Sequence, residues 1–216
     1  MADLVFYTNP MSRGRIVRWM LEEVGQPYET EVLEYASTMK APPFLSINPM
    51  GKVPAIVHRG TVVTETAAIC AYLADAFPEK GLAPPLGDAR RGPYFRWLFF
   101  AAGPVEAAIT NKAMGFDVPE EKRATVGYGC FEDVVNALER AVSEGEYICG
   151  DQFTAADVYV GSQIGWGLMF GTLPKREAFE RYSARLQSRE AAVRAREIDD
   201  GLMQEMRAKQ ETASAQ

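Results

Sequence analysis

The sequence predicts an α/β domain followed by an all-α domain, and two observations support this order. In the first part of the chain, short apolar runs with strand character alternate with segments of helical spacing. After a stretch rich in proline and glycine, residues 82–92, the patterns become helical and remain so. We therefore predict domains at residues 2–81 and 93–210, joined by the linker 82–92 and followed by a polar tail, residues 211–216.

The first domain opens with a β-α-β unit. Leu4 to Tyr7 is a short apolar run, which is typical of a strand. Ser12 to Val24 places apolar residues three and four positions apart, which predicts a helix with one buried face. Tyr28 to Leu33 has strand character again, and the three segments together predict the unit.

A hairpin and a helix complete that domain. Ala55 to His58 and Val62 to Val63 flank Arg59-Gly60, and this spacing predicts a β-hairpin. The apolar run that follows Glu65 predicts a helix as far as about Phe77. The resulting β-α-β-α-β-β-α order is similar to thioredoxin.

The second domain contains a long uncharged segment, Val158 to Pro174. Four glycines, together with Ser162 and Gln163, make it a poor membrane span, and a buried central helix of a bundle is the better interpretation. Just before it, Thr154 and Asp157 have the spacing of a capping box, in which each side chain satisfies the other residue's backbone N–H. We expect this box to be a folding signal rather than a functional site.

Composition argues against several classes of function. The net charge is −6, whereas general binding to nucleic acids or anionic membranes relies on clustered Lys and Arg. The three cysteines form no C-x-x-C pair, which indicates reduced thiols in a cytoplasmic protein, without a disulfide framework or a metal site. The N-terminal sequence turns polar at Thr8, before an adequate apolar core, and predicts no secretion signal.

The most informative motif is Asn48-Pro49-Met50-Gly51-Lys52-Val53-Pro54. A proline at the head of a strand holds Val53 extended and leaves its backbone groups available to another extended peptide. Glu65 and Thr66 lie where the next helix begins, and the amides and positive dipole end of a helix start favour a carboxylate. Because Glu65 can also take an ammonium group, the combination predicts a site for a small zwitterionic peptide.

With Tyr7-Thr8-Asn9-Pro10-Met11-Ser12 upstream, these motifs resemble the cytosolic glutathione S-transferase family, in a bacterial, serine-type, theta-like form. The resemblance extends to about Ala195. It implies a thioredoxin-like domain that binds glutathione, an all-α helical bundle domain, no bound cofactor or metal, and a cytoplasmic homodimer. The implied reaction, of a kind used in detoxification, is attack of the glutathione thiolate on an electrophilic, largely apolar small molecule.

The resemblance also implies roles for the motif residues. Val53, which precedes a cis Pro54, pairs its backbone with the cysteinyl unit of glutathione. Glu65 and Thr66 hold the γ-glutamyl amine and carboxylate, and Lys52 approaches the glycyl carboxylate.

Two parts of the ligand site are less well defined by the sequence. Met39 lies where some classes of the family place a histidine near the glycyl end, which leaves Lys40 as a second candidate beside Lys52. Met11 and Phe100 are the candidates for the second-substrate pocket.

Ser12 is the candidate catalytic residue. It lies between the first strand and the first helix, where the serine-type members of the family have their catalytic serine. A hydroxyl there can donate to the glutathione sulfur and, with the helix start, lower the thiol pKa from about 8.5 towards neutrality. The alternative role is an ordinary helix cap, worth about 1 kcal/mol.

Alternatives remain at two levels. Tyr7, as in tyrosine-type classes, or Asn9 could donate to the sulfur instead of Ser12. The same fold also suits a glutathione-dependent isomerase or peroxidase, or a binding or regulatory protein without catalysis, since the fold alone does not fix the reaction.

Overall fold

The computed structural model describes residues 3–214, which form two compact units. One unit joins residues 3–76 to residues 189–214, and the other comprises residues 77–188. The C-terminal helix is thus grouped with the strands of the first half, whereas the sequence assigned it to the helical domain. The predicted domain limits remain a prediction. Position 2, at the start of the first predicted domain, lies outside the described residues.

The first unit contains a four-stranded mixed sheet. Its strands are β1 (Leu4–Thr8), β2 (Glu29–Val32), β3 (Ala55–His58) and β4 (Thr61–Thr64). They lie in the order β2-β1-β3-β4, with β1 parallel to β2 and antiparallel to β3, and with β3 antiparallel to β4. Arg59 and Gly60 both have positive φ, which is the backbone of the tight turn that matches the twist of a hairpin. The predicted β-α-β unit and hairpin are confirmed.

Four helices accompany this sheet: α1 (Gly14–Val24), α2 (Pro42–Leu45), α3 (Thr66–Ala76) and, from the end of the chain, α9 (Glu190–Ser214). The residues of α1 that recur at helical spacing are buried, and this helix contacts both α3 and α9. Residues 211–214 of the predicted tail continue α9, while residues 215–216 lie outside the described part of the chain.

The first helix starts later than predicted. The sequence placed its start at Ser12, but α1 begins at Gly14 with Arg13 in the N-cap position. The reason is a tight turn in which the Ser12 N–H donates to the Asn9 carbonyl at 3.0 Å. The helix ends at Gly25, whose left-handed backbone suits a residue without a Cβ.

The second unit is helical, and this confirms the predicted fold class. Its helices are α4 (Arg91–Phe100), α5 (Glu106–Ala113), α6 (Phe131–Ser143), α7 (Ala155–Phe170) and α8 (Glu177–Gln187). A π-helical segment with Pro104 inside it, Ala101–Val105, joins α4 to α5. The uncharged segment forms the largely buried α7, which packs against α4 and α8. Among residues 3–214, no helix is both long and apolar enough to cross a membrane.

The capping box at the start of α7 is present. The Thr154 N–H and hydroxyl both donate to Asp157 Oδ2, at 2.8 and 3.0 Å. The other carboxylate oxygen, Oδ1, accepts from the Ile148 N–H and from the Tyr182 hydroxyl, each at 2.8 Å. This buried carboxylate therefore ties the start of α7 to the preceding loop and to α8.

Candidate active site

The strand register brings the predicted site segments to one end of the sheet. Tyr7 near the end of β1 pairs with Ala55 at the start of β3, and Ala55 pairs with Thr64 at the end of β4. Because neighbouring strands lie about 4.8 Å apart, three chain segments converge at this edge. They are the loop with Ser12 after β1, the segment before β3, and the turn after β4.

Asn9 shapes the loop after β1. Its side chain is fully buried, and its Nδ2 donates to the Leu33 carbonyl at 2.7 Å. Its Oδ1 accepts from the Met11 N–H at 2.9 Å, while its backbone carbonyl accepts from Ser12. Since the amide is buried and used to hold the loop, Asn9 is poorly placed to donate to a glutathione sulfur.

Ser12 is half-buried beside the start of α1. Its hydroxyl donates to the Asn9 carbonyl at 2.7 Å and accepts from the Gly14 N–H at 2.9 Å. A Cβ at position 14 would lie 2.0 Å from Thr8 Oγ1, so only glycine lets the chain pass here. The hydroxyl can therefore donate to a ligand only by turning away from the Asn9 carbonyl.

Tyr7, the alternative donor, packs against the core cluster of Met39, Phe44 and Ala55. Its ring packs against Phe44, with the ring centroids 5.6 Å apart. Burial raises the pKa of the Tyr7 phenol above its ordinary value of 10.0, and the negative charge of Glu31 raises it further. The phenol therefore stays protonated near neutrality, and Tyr7 remains an alternative donor to Ser12.

Asn48 shapes the loop before β3 as Asn9 shapes the first. Its Nδ2 donates to the Lys52 carbonyl at 2.7 Å, and its Oδ1 accepts from the Met50 N–H at 3.1 Å. Gly51 has positive φ, and a Cβ there would lie 2.9 Å from the Lys40 side chain. This loop is consequently held in one conformation.

The residues next in the loop leave backbone groups available. The Val53-Pro54 peptide bond is cis. Within residues 3–214, neither the N–H nor the carbonyl of Val53 has a hydrogen-bond partner. The Val53 side chain packs on the core cluster of Met39, Phe44 and Ala55. The side chain is thus anchored while the main chain can pair with a ligand.

The turn after β4 presents an acid beside a helix start. The sequence placed the helix start at Glu65, but α3 begins at Thr66 and Glu65 has a φ of 69°, in the left-handed region. Such a backbone is uncommon for a residue with a side chain and is concentrated at functional sites. The Glu65 side chain is exposed and makes no hydrogen bond or ion pair with another described residue, whereas Thr66 is buried.

Two lysines lie near these loops in sequence. The Lys40 ammonium donates to the Met50 carbonyl at 3.0 Å, and Lys52 is exposed. Met39 is buried in the core cluster, so its side chain is not available to a ligand. Over residues 3–214, no group of three or more His, Cys, Asp and Glu could hold a metal ion.

The two predicted pocket residues belong to different units. Met11 lies in the loop after β1, and its side chain is exposed. Phe100 ends α4 in the helical unit, where its ring contacts Trp97 edge to face at 5.4 Å. The second-substrate pocket remains a prediction.

The comparisons with known proteins agree with this geometry. The profile of the glutathione S-transferase N-terminal domain matches residues 11–76, which include all three site segments. Glutathione S-transferase GstA of Escherichia coli O157:H7 is 33% identical over 124 residues, which span 57% of this chain and 61% of that protein. Glutathione S-transferase hmp2 of Hypomyces subiculosus is 24% identical over 204 residues, 88% of this chain and 95% of that protein. By these matches the chain is similar to glutathione S-transferases, in its N-terminal third and over most of its length.

Solved glutathione transferases share the fold over nearly their whole length. The glutathione transferase of Methylococcus capsulatus is 27% identical and has a TM-score of 0.76. The match covers 91% of this chain and 98% of that protein's chain. A sphingomonad glutathione S-transferase, solved in complex with glutathione, is 26% identical, with a TM-score of 0.74 and the same coverage. The likeness therefore extends through the helical unit, beyond the residues that the N-terminal profile matches.

The sequence analysis named Asn9 and Asn48 but missed that their side chains hold the two loops of the candidate site. A signal was present, because the tripeptide Asn-Pro-Met occurs twice, at 9–11 and at 48–50. In both copies the asparagine accepts from the N–H two residues later, a local turn that this side chain favours. The repeated tripeptide thus corresponds to a repeated turn at the site.

Proposed function

We propose that this glutathione transferase conjugates the glutathione thiolate to electrophilic, largely apolar small molecules. The observation that carries the proposal is the convergence, at one end of the sheet, of three complementary groups. They are the backbone of Val53 and the carboxylate of Glu65, which have no partner among residues 3–214, and the start of α3 at Thr66. A peptide with both an ammonium and a carboxylate at one end satisfies all three.

The glutathione peptide is accommodated as follows. Its cysteinyl unit pairs with the N–H and carbonyl of Val53, which lies just before Pro54 and the start of β3. Its γ-glutamyl carboxylate accepts from the first amides of α3 and the Thr66 hydroxyl, and its ammonium pairs with Glu65. Its glycyl carboxylate is met by Lys52, which is exposed and able to swing towards it.

Ser12 then stabilises the sulfur as a thiolate. The hydroxyl gives up its bond to the Asn9 carbonyl and donates to the sulfur, while it still accepts from the Gly14 N–H. The start of α1 adds positive potential, and both effects lower the thiol pKa. The thiolate attacks an electrophilic carbon, a C–S bond forms, and the displaced group leaves with the bonding electrons. Holding both reactants close supplies the rest of the rate.

We also propose that the enzyme is a cytoplasmic homodimer. Phe95 and Phe99 lie one helical turn apart on α4, with ring centroids at 6.4 Å, and both are exposed. Exposed apolar side chains of this kind suit a subunit interface. The three cysteines are unpaired, which suits a reducing compartment. Sedimentation equilibrium tests the dimer, and Phe99→Asp should shift it towards monomer.

Chromatography on immobilised glutathione, followed by a panel of electrophiles, tests the activity. We expect retention, elution by free glutathione, and turnover of aryl halides or epoxides to thioether products. Retention without turnover of any electrophile would indicate a binding protein instead. Turnover limited to hydroperoxides, or to double-bond isomerisation without a stable conjugate, would assign the alternative activities.

A further inference from the structure

The C-terminal helix reaches the loop of the candidate catalytic serine through one arginine. Two adjacent acids of α9 pair with two arginines of α1: Asp199 Oδ1 lies 3.2 Å from Arg18 Nε, and Asp200 Oδ1 lies 2.8 Å from Arg15 Nη2. The Arg18 pair is buried, whereas the Arg15 pair is partly exposed. The Arg15 pair differs from the Arg18 pair because Arg15 also contacts the active-site loop.

Arg15 binds that loop directly. While its Nη2 meets Asp200, its Nε donates to the Pro10 carbonyl at 2.5 Å. Pro10 lies between Asn9, which holds the loop through its side chain, and Ser12, which carries the hydroxyl. One guanidinium therefore joins α9 to the middle of the loop, and its planar fork suits two acceptors at once.

We propose that Arg15, held by Asp200, is a positioning residue that keeps Ser12 in place for the glutathione sulfur. This inference rests on the proposed function of Ser12. It assigns to the C-terminal helix a part in arranging the site, although that helix begins about 180 residues after Ser12 in the chain.

Docking of α9 does not require this arginine. Two other pairs join the same two helices, Arg18 with Asp199 in the core and Arg194 with Glu22, and Arg189, just before α9, pairs its Nε with Glu23 at 2.7 Å. A partly exposed pair such as that of Arg15 adds little to stability. Its contact with the Pro10 carbonyl is thus the feature with a consequence for the site.

That contact constrains the peptide planes before the serine. With the Pro10 carbonyl held by Arg15, the next amides turn so that the Met11 N–H meets Asn9 Oδ1 and the Ser12 N–H meets the Asn9 carbonyl. Without the guanidinium, Asn9 alone holds the loop, and the Ser12 hydroxyl samples positions that are wrong for the sulfur. Small displacements of a donor reduce its effect on a developing or bound anion.

Two variants and two matched controls test the proposal. Arg15→Gln removes the donor to Pro10, and Asp200→Asn removes the charge that holds the donor. Arg194→Gln removes a positive charge, as Arg15→Gln does, and Glu190→Gln removes a negative charge, as Asp200→Asn does. Both controls change ion pairs of Arg194, which lie away from the loop. Asp200→Glu keeps the charge and should behave as the wild type.

The first measurement needs no glutathione. Hydrogen exchange of the Ser12 and Gly14 amides in the ligand-free protein should accelerate about 3–10-fold in Arg15→Gln, and less in Asp200→Asn, because one charged hydrogen bond at a partly exposed site is lost. The controls should exchange as the wild type does. Equal exchange in the wild type, in Arg15→Gln and in Asp200→Asn would overturn the proposal whether or not the protein binds glutathione.

The second measurement follows the bound thiolate. In Arg15→Gln, the pH at which the thiolate forms should rise by about 0.5–1 unit and kcat near neutrality should fall, while KM for glutathione changes less than about twofold. A lower melting temperature with an unchanged pH profile would show a merely structural role for Arg15. If the wild type forms no thiolate, the proposed function fails, and the exchange data still decide the positioning of the loop.

Discussion

Asn9 and Asn48 each use one side chain to set a loop of the proposed glutathione site. In both, the amide oxygen accepts from the N–H two residues on, and the amide nitrogen donates to a chain carbonyl. Both side chains are buried, so water does not compete for these bonds. The loops are thereby arranged before a ligand arrives, which reduces the entropy lost on binding.

The ammonium partner assigned to Glu65 can be tested by a neutral, isosteric change. Glu65→Gln should weaken glutathione binding by about 1–3 kcal/mol, because a charge-assisted hydrogen bond is replaced by a neutral one while the fold persists. Isothermal titration of the free peptide measures the change. Glu79→Gln, at an exposed acid in the Pro78–Lys80 turn, serves as the control. An unchanged Kd for Glu65→Gln would remove Glu65 from the site.

His58 is a structural residue with a predicted effect on pH stability. Its side chain is buried, and its Nδ1 lies 2.9 Å from the Tyr72 hydroxyl on α3. Burial lowers the pKa of His58 below its ordinary value of 6.5, and the charge of Arg59 lowers it further. The unfolded chain therefore binds this proton more tightly, and stability is lost as the pH falls below about 6.5.

Comparison of the wild type with His58→Gln separates the histidine's contribution to the pH dependence of stability from that of the carboxylates. Urea unfolding at a series of pH values should give the wild type a steeper loss of unfolding free energy in the window just below pH 6.5 than the variant shows. Parallel curves for the two proteins would mean that the histidine titrates alike in the folded and unfolded states.

The sequence predicted which segments meet at the candidate site but not the backbone states of their residues. Val53 before a proline and Glu65 before an apolar helix are visible as patterns, and both lie at the converging edge of the sheet. The left-handed backbone of Glu65 and the carbonyl that engages the Ser12 hydroxyl have no sequence signal. Both depend on how neighbouring segments close the turn, which local propensity does not encode.

At the scale of secondary-structure elements, the motifs with a fixed residue spacing gave correct predictions. The capping box of α7 and the hairpin of β3 and β4 follow from fixed spacings and were confirmed. The start of α1 was misplaced because serine favours both a cap and the turn before one. Periodicity locates a helix better than its first residue.

The capping box predicts a stability effect without a catalytic one. Thr154→Ala removes the hydroxyl bond to the buried Asp157 and should lower the unfolding free energy by about 0.5–2 kcal/mol. The specific activity of the folded variant should stay near that of the wild type. Thr125→Ala, at an exposed threonine, is the control for thermal unfolding. A large fall of kcat in folded Thr154→Ala would contradict a purely structural role.

At the scale of the whole molecule, the two ends of the chain meet in the first unit. The sequence suggested a helical domain up to residue 210, because α9 has the polar, helical pattern of its neighbours. Its packing on α1 depends on partners more than 170 residues away, such as Arg18 and Asp199. Pattern alone does not identify such a partner, since many exposed helices carry similar charges.

The buried pair of Arg18 and Asp199 should be costly to break. Arg18 lies over the rings of Phe6 and Tyr28 and donates to the Thr30 hydroxyl at 2.8 Å, so its charge has no route to water. Asp199→Asn leaves that charge uncompensated and should lower the unfolding free energy by about 3 kcal/mol.

Chemical denaturation measures this loss. Glu190→Gln, at an exposed acid of the same helix, should change stability by less than about 0.5 kcal/mol. A loss for Asp199→Asn as small as that of the control would show that the buried pair contributes little to joining the two ends of the chain.

The most direct test of the proposed mechanism is the ultraviolet titration of glutathione thiolate bound to the wild type and to Ser12→Ala. If Ser12 donates to the sulfur, the wild type should form thiolate well below the free thiol pKa of about 8.5. Ser12→Ala should need a higher pH and lose about 10–1000-fold in rate near neutrality. Ser188→Ala, which removes another hydroxyl bound to a carbonyl near a helix end, should titrate as the wild type does. Coincident titration curves for wild type and Ser12→Ala, with only thermal stability lowered, would reduce Ser12 to a helix-start turn and contradict its catalytic role.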